Sequence, residues 1–186
     1  LSTTSSNNVA VGTNCLAANT TGTLNVGVGV SNLNANTTGQ RLTAVGHAAL
    51  MNNTTANDNV AVGYHALQQN TTGAGNVAAG KGALENNTTG YYGIAIGLEA
   101  LKLNTTGVNN VAVGALALDA NTTGNNNIGM GREALSANTS GAANVAIGYE
   151  SLKANTSANF NTGIGNSTLR SNTTGQNNTA VGSASM

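Results

Sequence analysis

A seventeen-residue repeat runs through the chain without insertion or deletion. Its copies begin at residues 8, 25, 42, 59, 76, 93, 110, 127, 144, 161 and 178. A short fixed period is typical of solenoids, in which each copy forms one coil and each coil stacks on the next. The repeat therefore predicts a single domain over residues 1–186, with a partial coil at 1–7, ten full coils at 8–177 and a partial coil at 178–186.

One position of the repeat is the same residue in every copy. It is glycine each time, and we call this set the glycine column: Gly12, Gly29, Gly46, Gly63, Gly80, Gly97, Gly114, Gly131, Gly148, Gly165 and Gly182. A glycine that never varies among internal copies indicates a backbone with positive φ or a place with no space for a Cβ atom.

Two aliphatic columns precede the glycine and enclose a column that is always Ala or Gly. In the first coil these residues are Val9, Ala10 and Val11. We call Val9, Val11 and their equivalents the aliphatic stripe, and Ala10 and its equivalents the small column. β-Branched residues favour extended backbone, so the first four positions of each coil are predicted to form a short strand. Because side chains alternate across a strand, we expect the stripe to face the core and the small column to press against another copy of the chain.

A second apolar column is leucine in all ten full coils, and we call it the leucine column: Leu16, Leu33, Leu50, Leu67, Leu84, Leu101, Leu118, Leu135, Leu152 and Leu169. A small residue precedes each leucine, which favours a second short strand or an extended turn. The Asn-Thr-Thr-Gly segment that follows is turn chemistry. Two short strands and two turns per coil predict an all-β fold, a parallel β-solenoid with 17-residue coils.

The charged residues test this register. Only six basic and six acidic residues occur, the net charge is zero, and all twelve fall outside the predicted core columns. No basic patch is present to bind nucleic acid, and no apolar run is long enough to insert into a membrane. Stacking places residue i about 4.8 Å from residue i+17. It aligns Arg41 with Asp58, Glu85 with Lys102 and Asp119, and it also aligns two pairs of like charge, Glu133 with Glu150 and Lys153 with Arg170.

The segments Asn8–Gly12 (NVAVG), Asn144–Gly148 (NVAIG) and Asn178–Gly182 (NTAVG) resemble the head repeats of trimeric autotransporter adhesins. Similar arrays with AL and NTTG segments occur in phage-type tail-fibre proteins. The resemblance covers nearly the whole chain and implies a left-handed β-roll that assembles as a homotrimer on a cell or virion surface. The coil is longer than the usual adhesin head repeat, and the extra length lies in the Asn-Thr-Thr-Gly turn.

The asparagine of this turn is the sharpest chemical feature of the chain. All ten copies match the N-glycosylation acceptor pattern, and we call them the turn asparagine column: Asn19, Asn36, Asn53, Asn70, Asn87, Asn104, Asn121, Asn138, Asn155 and Asn172. A ladder of stacked side-chain amides explains the same column without any glycan. The paired threonines that follow could order water or ice, although adjacent residues of an extended chain point in different directions.

Other candidate residues are scattered. Tyr91 and Tyr92 are the best surface-contact candidates, because aromatic rings can stack on sugars or contact a receptor. His47 and His65 lie in neighbouring coils without a carboxylate or thiolate at ligand spacing, so no metal site is predicted. Cys15 occupies a small-residue position and has no second cysteine as a disulfide partner. With few carboxylates and no catalytic set, the sequence predicts no enzyme and no cofactor.

We expect from these patterns a rigid structural segment of an extracellular fibre, such as an adhesin head, a tail fibre or a surface filament. The chain begins and ends inside a repeat, so it is expected to be part of a longer fibre or a subunit that stacks head to tail. Two alternatives stay open: a solenoid wall that binds glycan or ice, and a glycosylated coat subunit of a filament. The expected partners are copies of the chain itself and a host-surface glycan or protein receptor.

Overall fold

The computed structural model describes residues 5–185 and is all-β. Residues 1–4, from the predicted first partial coil, and Met186 lie outside the described residues. Each repeat contributes one three-residue strand, and the strands are Val9–Val11 (β1), Val26–Val28 (β2), Thr43–Val45 (β3), Val60–Val62 (β4), Val77–Ala79 (β5), Ile94–Ile96 (β6), Val111–Val113 (β7), Ile128–Met130 (β8), Val145–Ile147 (β9), Thr162–Ile164 (β10) and Thr179–Val181 (β11).

The strands form one parallel sheet in chain order, β1 to β11. Each residue pairs with its equivalent one repeat later, as Val60 does with Val77 and Ala61 with Ala78. The chain is therefore a β-solenoid of about ten turns with a constant register, as the repeat predicted. Equivalent side chains stand above one another, about 4.8 Å apart.

The second strand is absent from the described coils, because the leucine column lies in a turn. Every leucine of that column has a left-handed backbone, with φ between 49° and 54°. A left-handed residue breaks the extended conformation, so no strand can continue through it. The turns nevertheless bond along the axis: the Leu33 amide donates to the Ala49 carbonyl at 3.2 Å and the Ala35 amide donates to the Met51 carbonyl at 2.9 Å.

The prediction of which strand face is buried is wrong. The small column lies in the core, where Ala44, Ala61 and Ala95 are completely buried with the leucine column. The aliphatic stripe lies on the outside, and Val62 is 43% exposed. The coil is narrow, and the leucine crosses it to meet the strand: a Cβ atom built on Gly129 would lie 3.2 Å from Leu118 Cγ. Only a methyl group or a hydrogen fits opposite that leucine.

The glycine column satisfies both physical reasons for an invariant glycine. Its φ values lie between 124° and 139°, a region that side chains rarely adopt. A Cβ atom on Gly97 would also lie 2.6 Å from the carbonyl oxygen of Gly114 in the next coil. The close approach brings successive coils into contact at the corner after each strand, which explains why no other residue occurs there.

Candidate functional surfaces

The turn asparagine column forms a continuous internal ladder. From Asn19 to Asn155 these side chains are at most 2% exposed. The Asn104 amide donates to Asn87 Oδ1 at 2.8 Å and to the Gly107 carbonyl at 3.0 Å, and Asn121 donates to Asn104 Oδ1 at 2.9 Å. Both N–H groups are therefore used, one along the axis and one to close the turn. A side-chain nitrogen that is buried and donates two hydrogen bonds is not accessible for glycan attachment in the folded coil.

The ladder ends at its last two members. Asn172 is only partly buried, and its amide donates to the Gly175 carbonyl at 2.9 Å. Asn155 Oδ1 is left buried without a hydrogen-bond partner among the described residues. Asn172 is therefore the most accessible member of the column in this chain.

A second asparagine column supports the start of each strand. Asn59 donates to the Gly73 carbonyl at 2.8 Å, and its Oδ1 accepts the backbone amide of Asn76 at 2.8 Å. Leu42 and Gly93 replace this asparagine in two coils. The column ties each strand to the turn of its own coil and to the coil above it. The only sequence signal for this role is the repetition of asparagine itself.

The two threonine rows of the turn differ in exposure. The first row bonds along the axis, as Thr105 Oγ1 does in donating to the Thr122 carbonyl at 3.0 Å. Residues of the second row, such as Thr106 and Thr123, are exposed. The wall therefore presents one open row of hydroxyl side chains beside a row that is already engaged within the protein.

The charged side chains bond along the axis and also diagonally between coils. Arg41 lies over Asp58 as predicted, with Nε 2.5 Å from Oδ1, and this pair lowers the pKa of Asp58. Diagonal ion pairs offset the repulsion expected from the two like-charge alignments, and the vertical alignment of columns did not predict them. Each pair joins the second residue after a column glycine to the residue twenty positions later: His65 with Glu85 at 3.2 Å, Glu133 with Lys153 at 2.6 Å, and Glu150 with Arg170 at 2.6 Å.

Lys153 is the centre of this network. Its Nζ lies 2.6 Å from Glu133 Oε2 and 2.7 Å from Glu150 Oε1. Hydrogen bonds from Lys153 are the main reason why the pKa values of both carboxyl groups are lowered. The two carboxylates that would repel each other in a vertical column are thus bridged by one ammonium group.

Asp119 departs from the predicted alternation of Glu85, Lys102 and Asp119. The predicted contact between Glu85 and Lys102 is present at 3.9 Å, and Lys102 lies closer still to Glu99, at 3.0 Å. Asp119 Oδ1 is buried without a hydrogen-bond partner in the described chain. Burial raises the pKa of Asp119, its own backbone amide and that of the next residue partly oppose this, and the charges of Glu133 and Glu99 add to it.

Tyr91 and Tyr92 project from the wall beside each other. They are 45% and 62% exposed, and their rings meet edge to face with centroids 5.2 Å apart. The His47 and His65 rings lie 5.7 Å apart, and Tyr64 stacks against both of them. Within residues 5–185, no group of three or more His, Cys, Asp or Glu side chains is placed to hold a metal ion.

Cys15 is a free, partly buried thiol in the first full coil. Burial raises the pKa of Cys15, and a backbone hydrogen bond at Val11 partly opposes this effect. Its thiol lies where a Cβ atom on Gly27 would have to go. A Cβ atom on Gly163 would likewise lie 2.7 Å from Ser151 Oγ, so these two positions of the small column have no space for alanine as the coils stand.

The aliphatic stripe lies along the outer face of the sheet and is partly exposed. The row of Val11 and its equivalents is the more exposed, with Val45 at 36%, Ile96 at 44% and Val11 at 56%. The row of Val9 and its equivalents is half-buried in most coils. The column after the glycine is mixed: Leu98 is 47% and Tyr149 is 42% exposed, and the same column holds the charged residues Lys81 and Arg132.

No family model, curated protein or solved structure matches this chain. Nor does the described part of the chain, residues 5–185, contain a helix long and apolar enough to cross a bilayer.

Proposed function

We propose that the chain is a rigid structural segment of an extracellular fibre, in which the solenoid acts as a spacer or head and associates with copies of itself. The observation that carries this proposal is the continuity of bonding along the axis. Parallel pairing joins all eleven strands, and buried asparagine amides bond in series beside them. A structure in which every coil bonds to the next resists bending and local opening along its whole length.

The repeat pattern adds support for the type of fibre. The strand-and-glycine segments resemble adhesin heads and tail fibres, and this resemblance favours a left-handed homotrimer on a cell or virion surface. A head-to-tail filament is compatible with the constant register, since each coil presents the same bonding groups to the next. The solenoid's function in such a fibre is to hold other parts at a fixed distance.

Two measurements test this proposal. Small-angle X-ray scattering should give a rod about 50 Å long for the eleven stacked strands, from their spacing of about 4.8 Å. Antibodies against the chain should label intact, unpermeabilised cells or virions of the source. A compact or flexible scattering profile would contradict the spacer, and labelling that appears only after permeabilisation would contradict the extracellular location.

A second candidate function is glycan binding by the wall. The exposed, edge-to-face pair Tyr91 and Tyr92 supports it, because two open rings can stack on sugar faces. Glycan-array binding by the chain, lost in the double variant Tyr91→Ala/Tyr92→Ala and retained in Tyr149→Ala, would establish this function. An array on which the wild-type chain binds no glycan would contradict glycan binding. An ice-recrystallisation assay would test whether the exposed threonine row binds ice.

A further inference from the structure

An open groove of about 650 Å³ lies on the wall of the solenoid that follows the leucine column. It runs along the axis over four coils, from the coil of Asp119 to the coil of Arg170. Three coil spacings of about 4.8 Å make it about 14 Å long. Small-molecule sites are usually clefts of about 300–1,000 Å³, so the groove has the size of such a site.

Asp119 lies at one end of the groove, and its negative charge has no cationic partner within residues 5–185. Its Oδ1 is buried without a hydrogen-bond donor. Lys102, one coil below, is turned to Glu99 at 3.0 Å instead. Burial raises the pKa of Asp119, and the negative charges of Glu133 and Glu99 raise it further. A cation brought by a ligand would supply the opposite charge that this carboxylate lacks.

The middle of the groove offers apolar contacts. Leu116, Ala137 and Ala154 line it, and each of these side chains is half-buried. Methyl and methylene groups gain from contact with a hydrocarbon chain, because both surfaces then leave water. A ligand whose cation reaches Asp119 would therefore lay an alkyl chain along these residues.

Two basic residues give the other end of the groove the opposite sign. Lys153 lies between Glu133 and Glu150, 2.6 and 2.7 Å from their carboxylate oxygens, and is neutralised by them. Arg170 contacts Glu150 through Nε at 2.6 Å, and its side chain is 53% exposed. A guanidinium group has five N–H donors, so donors remain for a second carboxylate. The groove is therefore negative at one end and positive at the other, with apolar contacts between them.

We infer that the groove binds a small ω-amino carboxylate that lies along the axis. The ammonium group donates to Asp119, and the carboxylate accepts hydrogen bonds from Arg170. Between them the alkyl chain packs against Ala137 and Ala154. This binding activity goes beyond the proposed spacer, and the groove contains neither residue of the exposed tyrosine pair. A simple amine fits the groove less well, because it would not use the donors of Arg170.

Isothermal titration calorimetry with ε-aminocaproate at low salt tests this inference. The wild type should bind it more tightly than hexylamine or hexanoate, each of which keeps one of the two charges. Asp119→Asn should lower the affinity for ε-aminocaproate about tenfold or more, because a charge-assisted hydrogen bond is lost. The matched control Asp58→Asn removes an aspartate that pairs with Arg41 outside the groove, and it should keep the wild-type affinity. Arg170→Gln should weaken the binding of ε-aminocaproate and leave that of hexylamine unchanged.

A steric pair of variants covers the case in which a charge variant fails to fold. Ala154→Leu fills the groove and should abolish binding, whereas Ala35→Leu, at the equivalent position of an earlier coil, should leave it unchanged. An unchanged circular dichroism spectrum shows that each variant is folded. A wild type that binds none of the three compounds, or a folded Asp119→Asn that binds as tightly as the wild type, would overturn the inference. Neither result would change the length of the rod in scattering, so this inference and the spacer role fail separately.

Discussion

The leucine column and the aliphatic stripe have similar side chains and opposite environments. Leu101 is completely buried, whereas Ile96, five residues earlier in the same coil, is 44% exposed. The leucine lies in a left-handed turn and crosses the coil, and the isoleucine lies in a strand and points away from it. Hydrophobicity alone therefore does not decide which apolar column forms the core.

The difference shows that the turn, and not the strand, supplies the large side chain of the core. The leucine occupies the interior, and the facing strand contributes only the methyl group of alanine or the hydrogen of glycine. The buried amides of two asparagine columns close the rest of the coil. The β-branched side chains are then left outside, where they stiffen the strand without contributing to the core of one chain.

The largest effect should come from removing one leucine. Leu101→Ala deletes a completely buried side chain in a narrow core, and we expect a loss of about 2–5 kcal/mol in the free energy of unfolding. The matched change on the stripe, Ile96→Ala, should cost less than about 1 kcal/mol per chain under monomeric conditions. Urea denaturation monitored by circular dichroism measures both. Equal costs would break the comparison between the two columns.

The next effect should come from the turn asparagine column. Asn104→Ala leaves the Gly107 carbonyl, Asn87 Oδ1 and one amide N–H of Asn121 without their partners. Buried polar groups left unsatisfied cost about 1–3 kcal/mol, so we expect a loss in that range. The control is Asn166→Ala, at an exposed asparagine outside the left-handed region, which should change stability by less than about 0.5 kcal/mol.

Hydrogen exchange in the coils on either side should locate the Asn104→Ala effect. Faster exchange at Thr88 and Thr122 is expected, because these residues lie in the adjoining turns. Unchanged exchange would mean that the amide ladder does not couple neighbouring coils.

A double-mutant cycle can sharpen the account of the small column. A Cβ atom added to Gly163 would lie 2.7 Å from Ser151 Oγ, so Gly163→Ala should cost about 1–3 kcal/mol through overpacking. Ser151→Ala removes the obstructing atom and also a 2.9 Å hydrogen bond to the Gly163 carbonyl. The double variant should therefore be more stable than the sum of the two single losses predicts. Strict additivity in thermal unfolding would contradict the proposed packing.

The smallest effect concerns the charged wall. The pKa of Asp119 is raised in the fold, so its charged side chain destabilises the folded state above that pKa, and this penalty disappears below the pKa of the unfolded chain. Asp119→Asn should raise the Tm at pH 7 by about 1 °C, and the gain should shrink as the pH falls through the pKa of Asp119. Glu133→Gln should have the opposite sign at pH 7, because the pKa of Glu133 is lowered by Lys153. A lower Tm for Asp119→Asn at pH 7 would contradict the conclusion that charged Asp119 destabilises the fold.

Much of the fold followed from the repeat, but the buried face of the strand, the backbone of the leucine column and the diagonal ion pairs did not. The period gave the number of coils, the register and the glycine column, because each depends only on identical residues recurring at equal spacing. The left-handed conformation of residues such as Leu33 had no sequence signal, since leucine is not a residue that usually adopts it. The diagonal Glu133–Lys153 pair was missed for a related reason, because the path of the turn decides which side chains meet.

The sequence by itself determined that this protein is a parallel solenoid with side chains stacked in continuous columns. Equal spacing of identical residues has one economical solution, which is to place each copy on the one before it. Only the tertiary structure decided which columns lie inside. The interior of a coil holds one large side chain per turn, and the leucine with its left-handed backbone occupies that space. The Val and Ile side chains are therefore left on the outer face of the sheet.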